Sequence, residues 1–105
     1  MKIASWNINS IKARQENVLA WMDEAKPDIL LMQELKGIED NFPRQPFEER
    51  GYHLAIHGQK AYNGVAIASK FPITEISNSV LDGDELARFL EVEIEGLRII
   101  NVYCP

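Results

Sequence analysis

Residues 2–9, KIASWNIN, alternate along the chain. Ile3, Ser5, Asn7 and Asn9 fall on one face, and Ala4, Trp6 and Ile8 on the other, the period-two signature of a strand. The period then lengthens. In QENVLAWMDEA, residues 15–25, Val18, Leu19 and Met22 recur at helical spacing and Ala25 extends the stripe. This predicts an amphipathic helix closed by Pro27, which restricts the residue before it and cannot continue the hydrogen-bond ladder. DILLMQE follows, with Ile29 to Met32 all apolar, as in a short strand covered on both faces. Strand, helix and strand make a βαβ unit with a right-handed crossover and parallel strands. Their C-terminal ends then share one sheet edge, where ligands of α/β sheets gather. One strand brings Asn7 and Asn9 to that edge; the other brings Gln33, Glu34 and Lys36.

The pattern changes again after Lys36. GIEDNFPRQPFEERG is rich in turn formers and charge and predicts a loop with a helical turn. YHLAIH and GVAIAS read as strands joined through GQKAYN, a hairpin with a longer loop. FPITEISNSVLDGDEL predicts an edge strand and a loop, and RFLEVEIEGLRIINVY a hairpin turning at Glu95 and Gly96. The fold class is α/β (α+β), with about six strands in a mixed sheet and one long helix. One helix cannot cover a sheet that wide, and the sequence ends at Tyr103-Cys104-Pro105 directly after an apolar strand. The expectation is one sheet face without its cover, from a truncated chain or an oligomer.

Composition narrows the class. The chain has 105 residues, 46% hydrophobic and 26% charged, within the range of one domain with one modest core. The net charge of −5 argues against a general nucleic-acid coat but leaves room for a local basic rim. The single cysteine, Cys104, excludes an internal disulfide and fits a reducing compartment. MKIASW lacks the layout of a signal peptide and no apolar run is long enough for a bilayer, so the expected location is cytoplasmic, away from membranes.

The candidate chemistry lies mostly in the connections. Glu34 fits a carboxylate ligand for a hard divalent cation, since Mg²⁺ often takes one or two protein carboxylates and keeps water and phosphate elsewhere. From pattern alone the commoner reading is a solvated glutamate opening a loop. Asn7 and Asn9 fit groups orienting a phosphate or the Glu34 carboxylate, or turn asparagines bonding their own backbone, with Asn9-Ser10 as a helix cap. Lys12, Arg14, Lys36, Lys60 and Arg88 offer donors to a phosphate-rich substrate, or make an ordinary mixed-charge surface. Tyr62 fits an aromatic wedge against bases, or a tyrosine packed under its own loop. Tyr103 fits a phenol donating to phosphate, or a core tyrosine with a satisfied hydroxyl. His53 and His57 show no metal-ligand spacing and read as structural, and Cys104 reads as inert.

SWNINSIKAR, PDILLMQELK, YNGVAIASK and INVYCP occur in that order. Together they resemble the N-terminal half of the exonuclease III family of apurinic/apyrimidinic endonucleases, in the endonuclease/exonuclease/phosphatase superfamily, across essentially the whole chain. The resemblance implies one half of a four-layer α/β/β/α sandwich, a single partial domain over residues 1–105 with the C-terminal half absent. It implies that Glu34 is the principal Mg²⁺ ligand, with Mn²⁺ as a substitute. Asn7 becomes the asparagine that orders the catalytic carboxylates and the phosphate, and Tyr103 the tyrosine at the scissile phosphate. Lys12, Lys36 and Arg88 match basic positions near the DNA backbone or metal, Tyr62 matches a loop aromatic that enters the minor groove in some relatives, and Asn9 takes a minor place in the metal shell.

The implied reaction is Mg²⁺-dependent hydrolysis of DNA phosphodiesters in DNA repair, as abasic-site incision and 3′→5′ exonuclease, on double-stranded DNA with abasic sites or 3′ ends. The family's GDxN-type and SDH-type motifs, which carry the aspartate activating the water and the phosphate-clamping histidine, do not occur here. The chain alone is therefore expected to be inactive or nearly so. Two other readings stand beside this one. The first is a superfamily phosphoesterase acting on another substrate. The second is a non-catalytic half-domain whose exposed sheet is covered by a missing half or by self-association.

Overall fold

A computed structural model describes residues 1–78 and 86–104. It contains seven strands: β1 Ile3–Asn7, β2 Ile29–Gln33, β3 His53–His57, β4 Val65–Ser69, β5 Thr74–Ser77, β6 Phe89–Ile94 and β7 Leu97–Val102. The long helix is α1, Ile11–Ala25, and a short helix α2, Arg44–Glu49, follows a 3₁₀ turn at Glu39–Asn41. The segment expected as loop with one turn is thus mostly helical, because Phe42 and Phe47 fold back into the core and stack 5.3 Å apart. The loop expected after β5 falls on residues 79–85, outside the described residues.

The strands form two sheets, not one. Four pair in the order β1-β2-β4-β3, with β1 and β2 parallel and the other pairs antiparallel. The remaining three form an antiparallel meander, β5-β6-β7. The four-stranded sheet is covered on both faces, as the unbroken apolar run of β2 requires. On one face Ala4, Trp6, Leu30, Met32, Ile56, Ala66 and Ala68 pack with Ile11, Val18, Leu19 and Met22 of α1. On the other, Ile29, Ala55, Val65 and Ile67 meet Leu90, Val92, Ile94 and Ile99 of the smaller sheet. The face lacking a cover therefore belongs to the three-stranded sheet, where Ile100 and Val102 are about half exposed. No described helix is long and apolar enough to cross a membrane.

Helix α1 starts four residues before the predicted boundary. Ser10 caps it, its hydroxyl accepting from Ala13 N–H at 3.2 Å, and Ile11 puts a first apolar residue beneath the cap. It ends as Pro27 demands: Lys26 turns left-handed and donates its N–H to Met22 at 2.8 Å.

Candidate active site

The parallel β1–β2 register sets Asn7 opposite Gln33, one residue short of Glu34. Backbone pairing continues past both strand ends: Ile8 N–H donates to Gln33 O at 3.0 Å, Ser10 to Glu34 O at 2.7 Å and Ile11 to Leu35 O at 3.0 Å. The segment after Glu34 is held from the other side, where Leu35 and Lys36 donate to Gly64 O and Asn63 O at 3.1 and 2.9 Å. Gly64 donates to Ala87 O, and Tyr103 to Arg88 O, each at 2.8 Å. Residues far apart in sequence thus meet in one backbone lattice.

Strain is concentrated in that lattice. Asn9, Ser10, Glu34, Lys36, Ala61 and Asn63 all hold positive φ; elsewhere among the described residues only the helix cap Lys26 and the hairpin-turn residue Glu95 do so without being glycine. A left-handed conformation costs a non-glycine residue roughly 1–2 kcal/mol. At Glu34 (φ 57°) the strain has a geometric result. Strand alternation would send its side chain toward the helices with Met32; instead Glu34 lines one cleft with Tyr103, which packs on the opposite core. Burial raises the Tyr103 phenol above its ordinary value, the nearby Glu34 charge adds to the effect, and Arg88 opposes it.

Glu34, Lys36, Tyr62, Asn63, Arg88 and Tyr103 line an open cleft of about 530 Å³. The carboxamide of Gln59 accepts from Asn63 Nδ2 at 2.8 Å and from Ala87 N–H at 3.1 Å. Asn63 in turn accepts from Arg88 Nε at 3.2 Å, and Arg88 forms no ion pair among the described residues. Tyr62 is 69% exposed at the β3–β4 loop tip, so it is not packed beneath its loop. Lys36 donates from Nζ to Asn9 Oδ1 at 2.6 Å. Asn7 Oδ1 accepts from Asn9 N–H at 3.2 Å, the turn geometry open to a strand-end asparagine, and Asn7 lies outside the cleft lining. Lys12 lines a separate groove that shares Lys36 with the first. His57 has a buried Nε2 without a partner, and Cys104 is exposed.

Among the described residues, no three His, Cys, Asp or Glu side chains gather as a metal cluster. Among the described residues, Glu34 is the single carboxylate lining the cleft. That donor set fits a hard cation such as Mg²⁺, which tolerates one protein carboxylate when water and phosphate oxygens complete its shell.

The residue pattern alone left one structural side chain, Asn101, unremarked. Asn101, 1% exposed, donates from Nδ2 to Met32 O at 3.0 Å and to Ala66 O at 2.8 Å, and its Oδ1 accepts from Gln33 Nε2 at 2.8 Å. Gln33 also donates to Ser5 Oγ at 3.0 Å. The available signal was a carboxamide at an inward position of a strand, between Ile99 and Tyr103.

Two packed sheets, with a strained glutamate just past the C-terminal end of a parallel strand pair, make this an α/β scaffold. The chain belongs to the Endonuclease/Exonuclease/phosphatase family, which it matches over residues 4–102. It is 35% identical over its whole length to exodeoxyribonuclease III of Haemophilus influenzae, spanning 42% of that protein. An AP endonuclease structure from Archaeoglobus fulgidus superposes with a TM-score of 0.94 at 40% identity, over all of this chain and 41% of the other. A Neisseria 3′ phosphatase bound to a product DNA hairpin gives 0.90 at 39% identity, over 99% of this chain and 41% of the other. The chain thus spans about two-fifths of the length of these relatives.

Proposed function

We propose that the chain supplies the Mg²⁺ and phosphate wall of a DNA-repair nuclease that hydrolyses phosphodiesters at abasic sites and 3′ ends. The observation carrying this reading is the cleft in which Glu34, Tyr103 and Arg88 converge. Glu34 would hold the cation, with Asn7 near its outer shell. A bound Mg²⁺ supplies Lewis-acid polarisation of a phosphoryl oxygen and stabilises the leaving 3′ oxygen. The protein's own groups do the rest. Tyr103, whose phenol lines the same cleft, has its one O–H to offer an anionic phosphate oxygen. Arg88, oriented through Nε by Asn63, directs its terminal amino groups to the backbone, with Lys36 and Lys12 along the flanking grooves. Tyr62, at the rim, is placed to wedge against bases in the minor groove.

Water attack needs a general base, and among the described residues the cleft lining contains neither a second carboxylate nor a histidine. The 105 residues alone therefore bind but turn over little or not at all. Labelled duplex carrying one abasic site, incubated with the chain and Mg²⁺, is expected to remain intact while still being bound. Rapid, Glu34-dependent incision by this chain would overturn the assignment of the missing base.

The half-exposed Ile100 and Val102 on the outer sheet support a companion reading, in which a second polypeptide segment or a second copy covers that face. A cytoplasmic setting suits the exposed thiol of Cys104.

A further inference from the structure

Tyr103 and Glu34 come from different sheets, so their meeting depends on how the sheets are locked along the strand direction. Apolar packing between Ile67, Val92 and Ile99 resists separation but is tolerant of sliding. Asn101 is different. Both Nδ2 hydrogens are used, on carbonyls of Met32 and Ala66, which are paired across β2 and β4. Its Oδ1 is fixed by Gln33, so the amide cannot reverse without losing its bonds. Glu34 lies two residues beyond Met32, and Tyr103 two beyond Asn101. Anchoring Asn101 against Met32 therefore brings phenol and carboxylate to the same height above the sheet.

We propose that Asn101 is a positioning residue: its carboxamide sets the register between the two sheets and thereby holds Tyr103 against Glu34. That the pair serves a phosphate and a cation rests on the function proposed above; the register claim does not. The buried amide bonds also give the claim directional specificity, since any slide of β7 takes both Nδ2 hydrogens and the Oδ1 of Asn101 off their partners.

The test uses the whole 105-residue chain labelled with ¹³C at tyrosine Cζ, without cation or DNA. The three tyrosine signals are assigned by replacing each with Phe in turn. In the native background, Glu34→Gln is expected to move the Tyr103 signal. In an Asn101→Ala background, the same substitution is expected to leave it unmoved. The Tyr52 signal, whose hydroxyl donates to Pro27 O at 2.7 Å at the other end of the sheet, certifies that the core is intact. Asn101→Thr keeps one hydroxyl donor and suits a strand. Its expected response is reduced, and it decides the matter if the alanine variant unfolds. An undiminished response in either folded variant overturns the proposal. Failure here leaves the nuclease reading standing, whereas a chain that shows the coupling but never binds Mg²⁺ sinks only that reading.

Discussion

Glu34 O accepts the Ser10 N–H at 2.7 Å, so the residue that offers its carboxylate to the cleft also fixes the start of α1. The helix N-terminus, the β1 end and the candidate cation ligand are thus one mechanical unit. Replacing the Glu34 side chain leaves this backbone bond in place. Glu34→Gln is therefore expected to remove cation binding with less than about 1 kcal/mol change in stability, a range ordinary for substitutions outside the core. Urea unfolding and Mg²⁺ titration measure the two effects separately.

Glu34→Gly should go further. Glycine carries no penalty at φ 57°, so relief of the strain is expected to stabilise the fold by roughly 1 kcal/mol, while cation binding is lost. A gain in stability with loss of binding would mark the strain as a functional cost. Equal stability of the glycine and glutamine variants would show that the conformation is unstrained.

Gly64→Ala is expected to be harsh. Its φ is 93°, and an added Cβ would come 2.7 Å from Leu35 Cβ, beside the segment that carries Glu34. Backbone strain and overpacking together predict a loss of roughly 2–4 kcal/mol. The urea midpoint reports it; a midpoint within error of the native protein would contradict the backbone lattice described above.

The Gln59–Asn63–Arg88 chain makes a prediction for binding. Arg88→Ala should weaken duplex DNA and lower the slope of log affinity against log salt by about 1, the value for one lost phosphate contact. Asn63→Ala, which leaves the charge in place but frees it from Nε, should weaken binding less and preserve the slope. Fluorescence anisotropy across a salt series distinguishes them, and identical slopes for native and Arg88→Ala protein would remove Arg88 from the interface.

Stability should respond to pH at both extremes. Arg50 grips Asp23 through Nε at 2.7 Å and holds its carboxyl below the usual value. That contribution is present above the unfolded carboxylate pKa and is lost as pH falls through the lower folded one. Tyr52 is shifted the other way, by burial first and then by Asp28 and Asp23. Its contribution is intact below the unfolded tyrosine value of about 10 and is lost as pH rises through the folded one. Thermal unfolding of Asp23→Asn and Tyr52→Phe should flatten the acid and alkaline limbs respectively.

Much of this architecture is written in side-chain periodicity. The alternation in KIASWNIN and the apolar Ile29–Met32 run place Asn7 beside Gln33 and Glu34 because parallel pairing of two short strands leaves little freedom. The division into two sheets is not written there. β6 and β7 alternate inward and outward, and alternation says which side is buried, not against what. The first turn of α1 is hidden because Ile11 is separated from Val18 by polar residues. The reversal of the Glu34 side chain is invisible too, since a glutamate ending a strand carries no mark of positive φ. Asn101 was legible as an oddity, an inward carboxamide, but its partners come from strands some 35 to 69 residues away and emerge only in the fold.

On the proposed function, Glu34 and its neighbours form a cation and phosphate site. A Mg²⁺ titration of ¹⁵N-labelled chain followed by NMR tests it most directly. Saturable shifts are expected at the amides of residues 7–10, 34–36 and 103, and their loss in Glu34→Gln. Shifts confined to other acidic residues, or shifts at the cleft that persist in Glu34→Gln, would contradict it.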